Sequence, residues 1–155
     1  MPEPQLKKFG HLAAAYLVLG ETLLDIANVQ PLRGIGGGSL GLTQVVGSAI
    51  AEIGAVKGGK GTIADGFPHD LPIGYKLICV TDKRVLFLYT ATLKTAQLLW
   101  EAPRSSVIEV ERRPRLQLMA KFRLHFQDGS AVSILTMRRG TIDSLAGVLG
   151  GRRQS

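Results

Sequence analysis

The residues best suited to binding chemistry are basic side chains in the last third of the chain. Residues 104–155 hold ten of the 19 Lys and Arg residues but only four of the 12 Asp and Glu residues. Cationic groups gathered in one region attract acidic proteins, anionic lipid headgroups and nucleic acids. The candidate anion- or partner-binding residues are Arg112, Arg113, Arg115, Lys121, Arg123, Arg138 and Arg139.

Strand alternation places part of this basic set on one surface. Lys121, Arg123 and His125 are spaced by two, so in a strand they share a face and lie about 7 Å apart from one to the next. Glu109 and Glu111 on the preceding strand could neutralise some of the charge, which makes an ordinary solvated face the alternative interpretation. Charge segregation along the chain favours a binding surface.

The remaining basic residues flank this surface. Arg138 and Arg139 are expected to end the strand that pairs with residues 118–126, and residues 151–155 form a short basic tail. These positions place the basic cluster near the turn after the fifth predicted strand.

Two glycine-rich segments are similar to nucleotide-binding motifs but lack the required context. Residues 36–41 fit G-x-G-x-x-G, yet a dinucleotide fold needs parallel βαβ units, and an antiparallel meander is expected to follow. Residues 54–61 approximate a P-loop, but Gly61 follows Lys60 where Ser or Thr is required. We interpret the segments as a flexible hinge and as a helix end whose negative dipole faces Lys57 and Lys60.

Residues capable of catalysis are scattered. His11, His69 and His125 lie far apart, and no spacing predicts a metal cage. Cys79, the single cysteine, lies among apolar strand positions, which is typical of a core thiol in a reducing cytoplasm. No serine lies in a G-x-S-x-G motif. The sequence therefore predicts a non-enzymatic protein with no cofactor, metal or small-molecule substrate.

The elements that position these residues begin with an N-terminal helix. An apolar stripe at helical spacing predicts a helix over residues 1–20 that ends at Gly20. Residues 22–30 predict a first strand that ends at Pro31. The 155-residue length fits one domain, which we place at residues 21–150.

A glycine-rich insertion, residues 34–74, follows the first strand. It predicts an amphipathic helix over residues 42–56 and a loop over residues 62–74. If this helix does not pack on its own domain, its apolar face is expected to drive association with a partner or a second copy. That helix-interface set is Leu42, Val45, Val46, Ala49, Ile50 and Ile53.

From Tyr75 the apolar period changes to two. Residues 85–89 are apolar throughout, which indicates a strand covered on both faces, and Asp128-Gly129 predicts a hairpin turn. Thr141 is expected to cap a final helix that ends at Gly150. The predicted strands are Tyr75–Thr81, Arg84–Thr90 and residues 96–101, 107–111, 118–126 and 131–137.

This order of elements resembles the pleckstrin-homology-like (PH-like) domains of bacterial proteins. The resemblance rests on Gly20-Glu21 before the first strand, on residues 80–88 and 103–110, and on the strand–Asp-Gly–strand–helix ending. It implies an α+β fold in which about seven antiparallel strands form two near-orthogonal sheets, a barrel with the C-terminal helix at one open end. The long glycine-rich insertion departs from the family pattern.

The resemblance and the charge pattern together predict a cytoplasmic interaction or scaffold module. Its expected ligand is an acidic protein partner or a second copy of the chain, which would give a homo-oligomer. The alternative is a peripheral membrane protein that binds anionic lipid through the basic face and the amphipathic helix.

Two ligand classes are disfavoured. Specific phosphoinositide recognition in the family would use the loops after strands one, three and six, whereas the basic cluster lies at the opposite end from the Asp128-Gly129 turn. Generic attraction to an anionic surface stays open. Nucleic acid binding would need interleaved aromatic side chains, and residues 112–115 contain none.

Overall fold

The computed structural model describes residues 3–31, 56–57, 60–68, 71–116 and 119–149. These parts of the chain contain two α-helices, α1 (Glu3–Ala14) and α2 (Arg139–Leu149), and a 3-10 helix over Arg104–Ser106. The strands β1 to β8 are, in chain order, Leu23–Pro31, Val56–Lys57, Tyr75–Thr81, Arg84–Thr90, Gln97–Pro103, Val107–Leu116, Met119–Phe126 and Ala131–Thr136. The predicted α+β class with antiparallel strands and a C-terminal helix is confirmed.

Strand β1 belongs to two antiparallel half-sheets. Its residues 23–28 pair with β3, and its residues 29–31 pair with β8. The strand order is β5-β4-β3-β1-β8-β7-β6, with β2 paired to β8 beyond the end of β1. We call β1-β3-β4-β5 the first sheet and β1-β8-β7-β6 the second sheet. Gly129, at φ +88°, supplies the left-handed residue that the β7–β8 turn requires.

The two sheets and α2 enclose the main hydrophobic core. The Phe67 ring lies edge-on to Phe87 at 5.2 Å and to Trp100 at 4.9 Å, and Trp100 lies 5.7 Å from Phe126. These aromatic contacts add to the burial of apolar area that stabilises the fold. Helix α2 closes the core with its buried stripe, Ile142, Leu145, Ala146 and Leu149.

The outer face of the first sheet is covered by α1. Phe9 and Leu12 of the helix pack on Leu86 and Leu88 of β4 in a second, separate cluster. Because Val85 and Phe87 of the same strand face the main core, the prediction of a strand covered on both faces is confirmed.

Helix α1 ends at Ala14, six residues before the predicted end at Gly20. The N–H of Tyr16 already bonds to the Ala13 carbonyl, which makes a turn. The Tyr16 carbonyl accepts a hydrogen bond from Arg84 Nη2 at 2.8 Å, and the Tyr16 hydroxyl donates to the Ala96 carbonyl. These long-range contacts direct the chain away from the helix axis.

The loop over residues 60–68 closes part of the core. Its Phe67 is 2% exposed. The Ile63 N–H donates to Asp128 Oδ2 at 2.7 Å, and Trp100 Nε1 donates to the Ile63 carbonyl at 3.1 Å. The segment was predicted as a loop, and it is an irregular segment that buries Ala64 and Phe67 in the core.

The end of the predicted insertion helix is a strand. Val56 and Lys57 form β2 and pair with Val132 and Ala131 of β8, so the prediction of a helix through Val56 with Lys57 at its dipole is wrong there. The physical reason is that β1 leaves β8 opposite Ile134, which frees the next part of that edge for β2. The predicted helix-interface residues lie outside the described residues: Leu42, Val45, Val46, Ala49, Ile50 and Ile53.

The start of α2 also differs from the prediction. The helix begins at Arg139, so Thr141 lies inside its first turn and is not the N-cap. The Thr141 N–H donates to the Arg138 carbonyl at 3.2 Å, so a backbone bond closes this turn. Strand β8 ends at Thr136, and Arg139 is therefore a helix residue and not the end of a strand.

Candidate binding face

Strand β7 presents its charged side chains on the surface away from the core. Lys121, Arg123 and His125 are partly exposed and alternate with fully buried apolar residues. Those core residues are Ala120, Phe122, Leu124 and Phe126. The predicted alternation is confirmed, and it fixes the charged residues on one face because the side-chain period of a strand is two.

The register of β6 on β7 brings further charged residues to this surface. Directly opposite residues of an antiparallel pair are side-chain neighbours on the same face. We define the β6–β7 face as three such pairs: Arg113 opposite Lys121, Glu111 opposite Arg123, and Glu109 opposite His125.

Glu111 is bound by two neighbours on this face. Arg113 Nη1 donates to Glu111 Oε2 at 2.9 Å, and His125 Nε2 lies 2.6 Å from Oε1. Burial pushes the pKa of Glu111 up, but the hydrogen bonds from His125 and Arg113 outweigh it and lower the pKa below its ordinary value. The carboxylate is therefore ionised at neutral pH and neutralises part of the basic charge, as its sequence position indicated.

Lys121 and Arg123 repel each other and Arg113. Burial, followed by the charges of Arg113 and Arg123, lowers the pKa of Lys121. Burial and then Arg113 likewise lower the pKa of Arg123, while Glu111 acts in the opposite direction. Arg123 Nε donates to Ser133 Oγ at 3.0 Å. Lys121, in contrast, has no hydrogen bond or ion pair with any residue that the structure describes.

One donor of Arg113 has no acceptor in the part of the chain that the structure describes. Arg113 Nε is buried and has no hydrogen-bond partner among the described residues, while Nη1 is used by Glu111. A buried donor without a partner costs about 1–3 kcal/mol. The side chain as a whole is 32% exposed, so the guanidinium lies at the boundary between protein and solvent.

Other predicted basic residues lie elsewhere. Arg112 is opposite Phe122, on the side of β6 that faces the core and α2, and its Nη1 lies 3.5 Å from Asp143 Oδ1. Arg138, between β8 and α2, and Arg139, the first residue of α2, are both exposed. Arg115 is in β6, but its side chain is outside the described part of the structure.

Glu109, Glu111 and His125 also form a group whose potential ligand atoms lie within 4.8 Å of one another. Two carboxylates and an imidazole could bind a divalent cation. Arg113 already bonds Glu111, however, and a dication here would be repelled by the guanidinium charge. Sequence spacing did not reveal this group, because it depends on the β6–β7 register.

A second polar network lies beside the β3–β4 turn of the first sheet. Arg84 Nε and Nη2 donate to the two carboxylate oxygens of Glu21, at 2.9 and 2.8 Å, and Thr81 Oγ1 donates to the same carboxylate at 2.6 Å. The hydrogen bonds from Arg84 lower the pKa of Glu21 to about 2, against the effect of burial. This network is internally satisfied, which favours a structural role.

A shallow cavity of about 410 Å³ lies near the β3–β4 turn. Asp82, Lys83, Arg104, Ser105 and Leu149 line it. Both Nε and Nη2 of Arg104 donate to the carbonyl of Val148 at the end of α2, so this guanidinium stabilises the helix terminus. Lys83 alone is an insufficient basis for an anion site.

No protein-family model matches the chain, and no curated protein is significantly similar to it. None of the helices among the described residues is long and apolar enough to span a membrane.

Proposed function

We propose that this chain is a PH-like interaction module that binds an acidic protein partner through the β6–β7 face. The observation that carries the proposal is the proximity of Arg113, Lys121 and Arg123, which repel one another across two paired strands. A surface that holds cations together against repulsion gains most from an anionic ligand.

The PH-like assignment is supported by the architecture. Strands β3–β5 and β6–β8 form two meanders joined through β1, and a C-terminal helix packs on the shared core. The residues behind the resemblance also contact one another, since Glu21 is bound by Thr81 and Arg84. This contact network explains why these residue types occur together, just before β1 and on either side of the β3–β4 turn.

A protein partner fits the face better than a membrane surface. Glu109 and Glu111 lie among the cations, and a lipid surface of uniform negative charge would repel both carboxylates. A folded partner or peptide can instead place acidic groups opposite Arg113 and Lys121 and a donor near Glu111. The mixed charges therefore favour a ligand with individually positioned groups.

Fluorescence anisotropy with the full-length chain tests this function. The probe is a labelled Glu-rich peptide, compared with a Gln-rich peptide of equal length. We expect binding of the Glu-rich peptide only, weakened by salt, and weakened about tenfold or more by the double variant Arg113→Glu/Arg123→Glu. The matched control is Lys83→Glu/Lys94→Glu, which changes the net charge equally at exposed positions away from the face.

Two results would overturn the proposal. Equal weakening by both double variants would indicate a response to net charge alone. Binding to phosphatidylserine vesicles, lost in Arg113→Glu/Arg123→Glu, with no peptide binding, would make the face a membrane site instead. Light scattering on the same samples verifies that the anisotropy reports peptide binding and not assembly of the chain.

A further inference from the structure

Arg84 shows how a guanidinium in this protein holds an oxyanion. Its Nε and Nη2 donate side-on to the two oxygens of Glu21. Two parallel N–H···O bonds match the spacing of carboxylate or phosphoryl oxygens, and a charge-assisted pair of this kind is stronger than a neutral hydrogen bond. The low pKa of Glu21 reflects how strongly Arg84 stabilises the anion.

Arg113 has the same pair of donors, and no described residue accepts a hydrogen bond from either of them. Glu111 accepts only from Nη1, at 2.9 Å. Nε is buried without a partner, and Nη2 has no hydrogen bond within the described ranges. Because an Arg side chain cannot lose its proton in a protein, both N–H groups remain donors, and the side chain must turn to expose Nε before an external acceptor can reach it.

Lys121 supplies a second cation next to this donor pair. It lies directly opposite Arg113 on β7, and no described residue neutralises it. Like charges directly opposite each other weaken an antiparallel ladder, so an anion between them would replace a repulsion with two attractions. The Lys121 ammonium is a compact point charge, whereas the planar guanidinium of Arg113 directs its N–H groups along fixed lines.

We infer that Arg113 and Lys121 form a site for one oxyanion group, a carboxylate or a phosphoryl group, carried by the acidic partner. On binding, the Arg113 side chain turns so that Nε, which is buried in the free chain, and Nη2 bind two of its oxygens side-on, and Lys121 Nζ contacts the same group from the neighbouring strand. Glu111 keeps its hydrogen bond to Nη1, so Nε and Nη2 stay directed away from this carboxylate. This inference rests on the proposed function and narrows it to one anchoring group.

The guanidinium Nε–H signals of the full-length, ¹⁵N-labelled chain report on this site directly. The Arg113 signal is the one missing from the spectrum of Arg113→Lys. The probes are a capped Glu-rich peptide, the same peptide with one phosphoserine, and inorganic phosphate. We expect the Arg113 signal to shift saturably with at least one peptide, with a Kd below about 1 mM.

Two variants sharpen the experiment. Lys121→Ala should weaken the peptide affinity about tenfold, which is the loss expected for one charge-assisted contact. Arg112 lies on the other side of β6, so its Nε–H signal should not move, and Arg112→Ala should bind as the unaltered chain does. If the phosphoserine peptide binds more tightly in this titration, the ligand is a phosphoryl group. If the Glu-rich peptide binds equally or more tightly, the ligand is a carboxylate.

The failures are distinguishable. Peptide binding by anisotropy with an unmoved Arg113 signal overturns this site and leaves the proposed function intact. A shift with inorganic phosphate alone, without saturation, shows adventitious ion binding and also overturns the site. No peptide binding by either method removes both the site and the proposed function.

Discussion

Arg113 of β6 lies directly opposite Lys121 of β7, so two like charges face each other across an antiparallel ladder. Glu111 compensates Arg113 from the next position along β6, but no described residue compensates Lys121. A local conflict of this kind, inside a sheet whose apolar face is well packed, is typical of a functional position.

Replacing Lys121 should separate stability from binding. Lys121→Glu converts the repulsion with Arg113 into attraction, and we expect the free energy of unfolding to rise by about 0.5 kcal/mol while affinity for the Glu-rich peptide falls. Urea denaturation measures the first effect. The exposed control Lys94→Glu should change stability by less than about 0.5 kcal/mol. A destabilised Lys121→Glu variant would mean that the ammonium has a favourable contact in the folded protein.

The Glu21–Arg84 pair should be the main electrostatic contribution to stability in the first sheet. Glu21→Gln removes a buried carboxylate that Arg84 binds through two donors, and we expect a loss of about 2–3 kcal/mol at neutral pH. Glu101→Gln removes the other partner of Arg84, which is 49% exposed, and should cost less than about 1 kcal/mol.

The pH dependence of this pair has a definite sign. Arg84 lowers the pKa of Glu21 from 4.5 to about 2, so its stabilisation is complete above pH 4.5 and is lost as the pH falls towards 2. The difference in unfolding free energy between the natural chain and Glu21→Gln should shrink over this interval. A difference that stays constant from neutral pH to pH 2 would contradict the ion-pair explanation.

Ionisation of Asp25 should lower the stability of the fold as the pH rises, which is the opposite of the effect of Glu21. Asp25 is 2% exposed and accepts hydrogen bonds from Ser144 Oγ at 2.7 Å and from the Ile26 N–H at 2.8 Å. Burial raises its pKa above 3.8 in spite of these bonds. Stability from this group is therefore present below pH 3.8 and is lost as the pH rises through the folded-state pKa.

Asp25→Asn should consequently gain stability relative to the natural chain as the pH rises from acid to neutral, because the amide keeps an acceptor and cannot ionise. Thermal unfolding across this pH range gives the comparison. Asp143→Asn, at an exposed position in the same helix as Ser144, is the control and should show no such trend. A pH-independent difference for Asp25→Asn would show that the carboxyl does not titrate differently in the folded state.

Phe67 should stabilise the fold as strongly as a strand residue. Phe67→Ala removes a 2% exposed ring that contacts Phe87 and Trp100, and we expect a loss of about 3–4 kcal/mol in urea denaturation. Ile73→Ala, at a 96% exposed loop position, should be close to neutral. A small effect of Phe67→Ala would mean that the loop over residues 60–68 does not close the core.

Local sequence signals predicted most of the strands well, but β6 continues to Leu116, past its predicted end at Glu111, so Arg112 and Arg113 lie in a strand and not in the turn. Tyr75–Thr81 and Arg84–Thr90 have the predicted bounds, because a period of two and a two-residue turn are both encoded by neighbours in the chain. The alternation on β7 was predicted for the same reason. The end of α1 was not predicted correctly, because Arg84, which is distant in sequence, binds the Tyr16 carbonyl and redirects the chain.

The make-up of the β6–β7 face required information that the sequence pattern lacks. Alternation placed Lys121 and Arg123 on one surface, but only the register of β6 shows that Arg113 belongs with them and Arg112 does not. A bulge near the start of β6 shifts this register, and such irregularities leave little trace in composition. The burial of Phe67 similarly depends on tertiary contacts made by a segment with no periodic pattern.

Backbone amide mapping by NMR, with the Glu-rich peptide and the full-length chain, locates the binding surface without any substitution. We predict that the largest shifts fall on residues 109–113 and 121–125, with smaller shifts on the paired part of β8 around Ser133. Shifts centred instead on Asp82, Lys83 and Arg104 would move the site to the cavity near the β3–β4 turn. That result, or the absence of saturable shifts anywhere on β6 and β7, would contradict binding through the β6–β7 face.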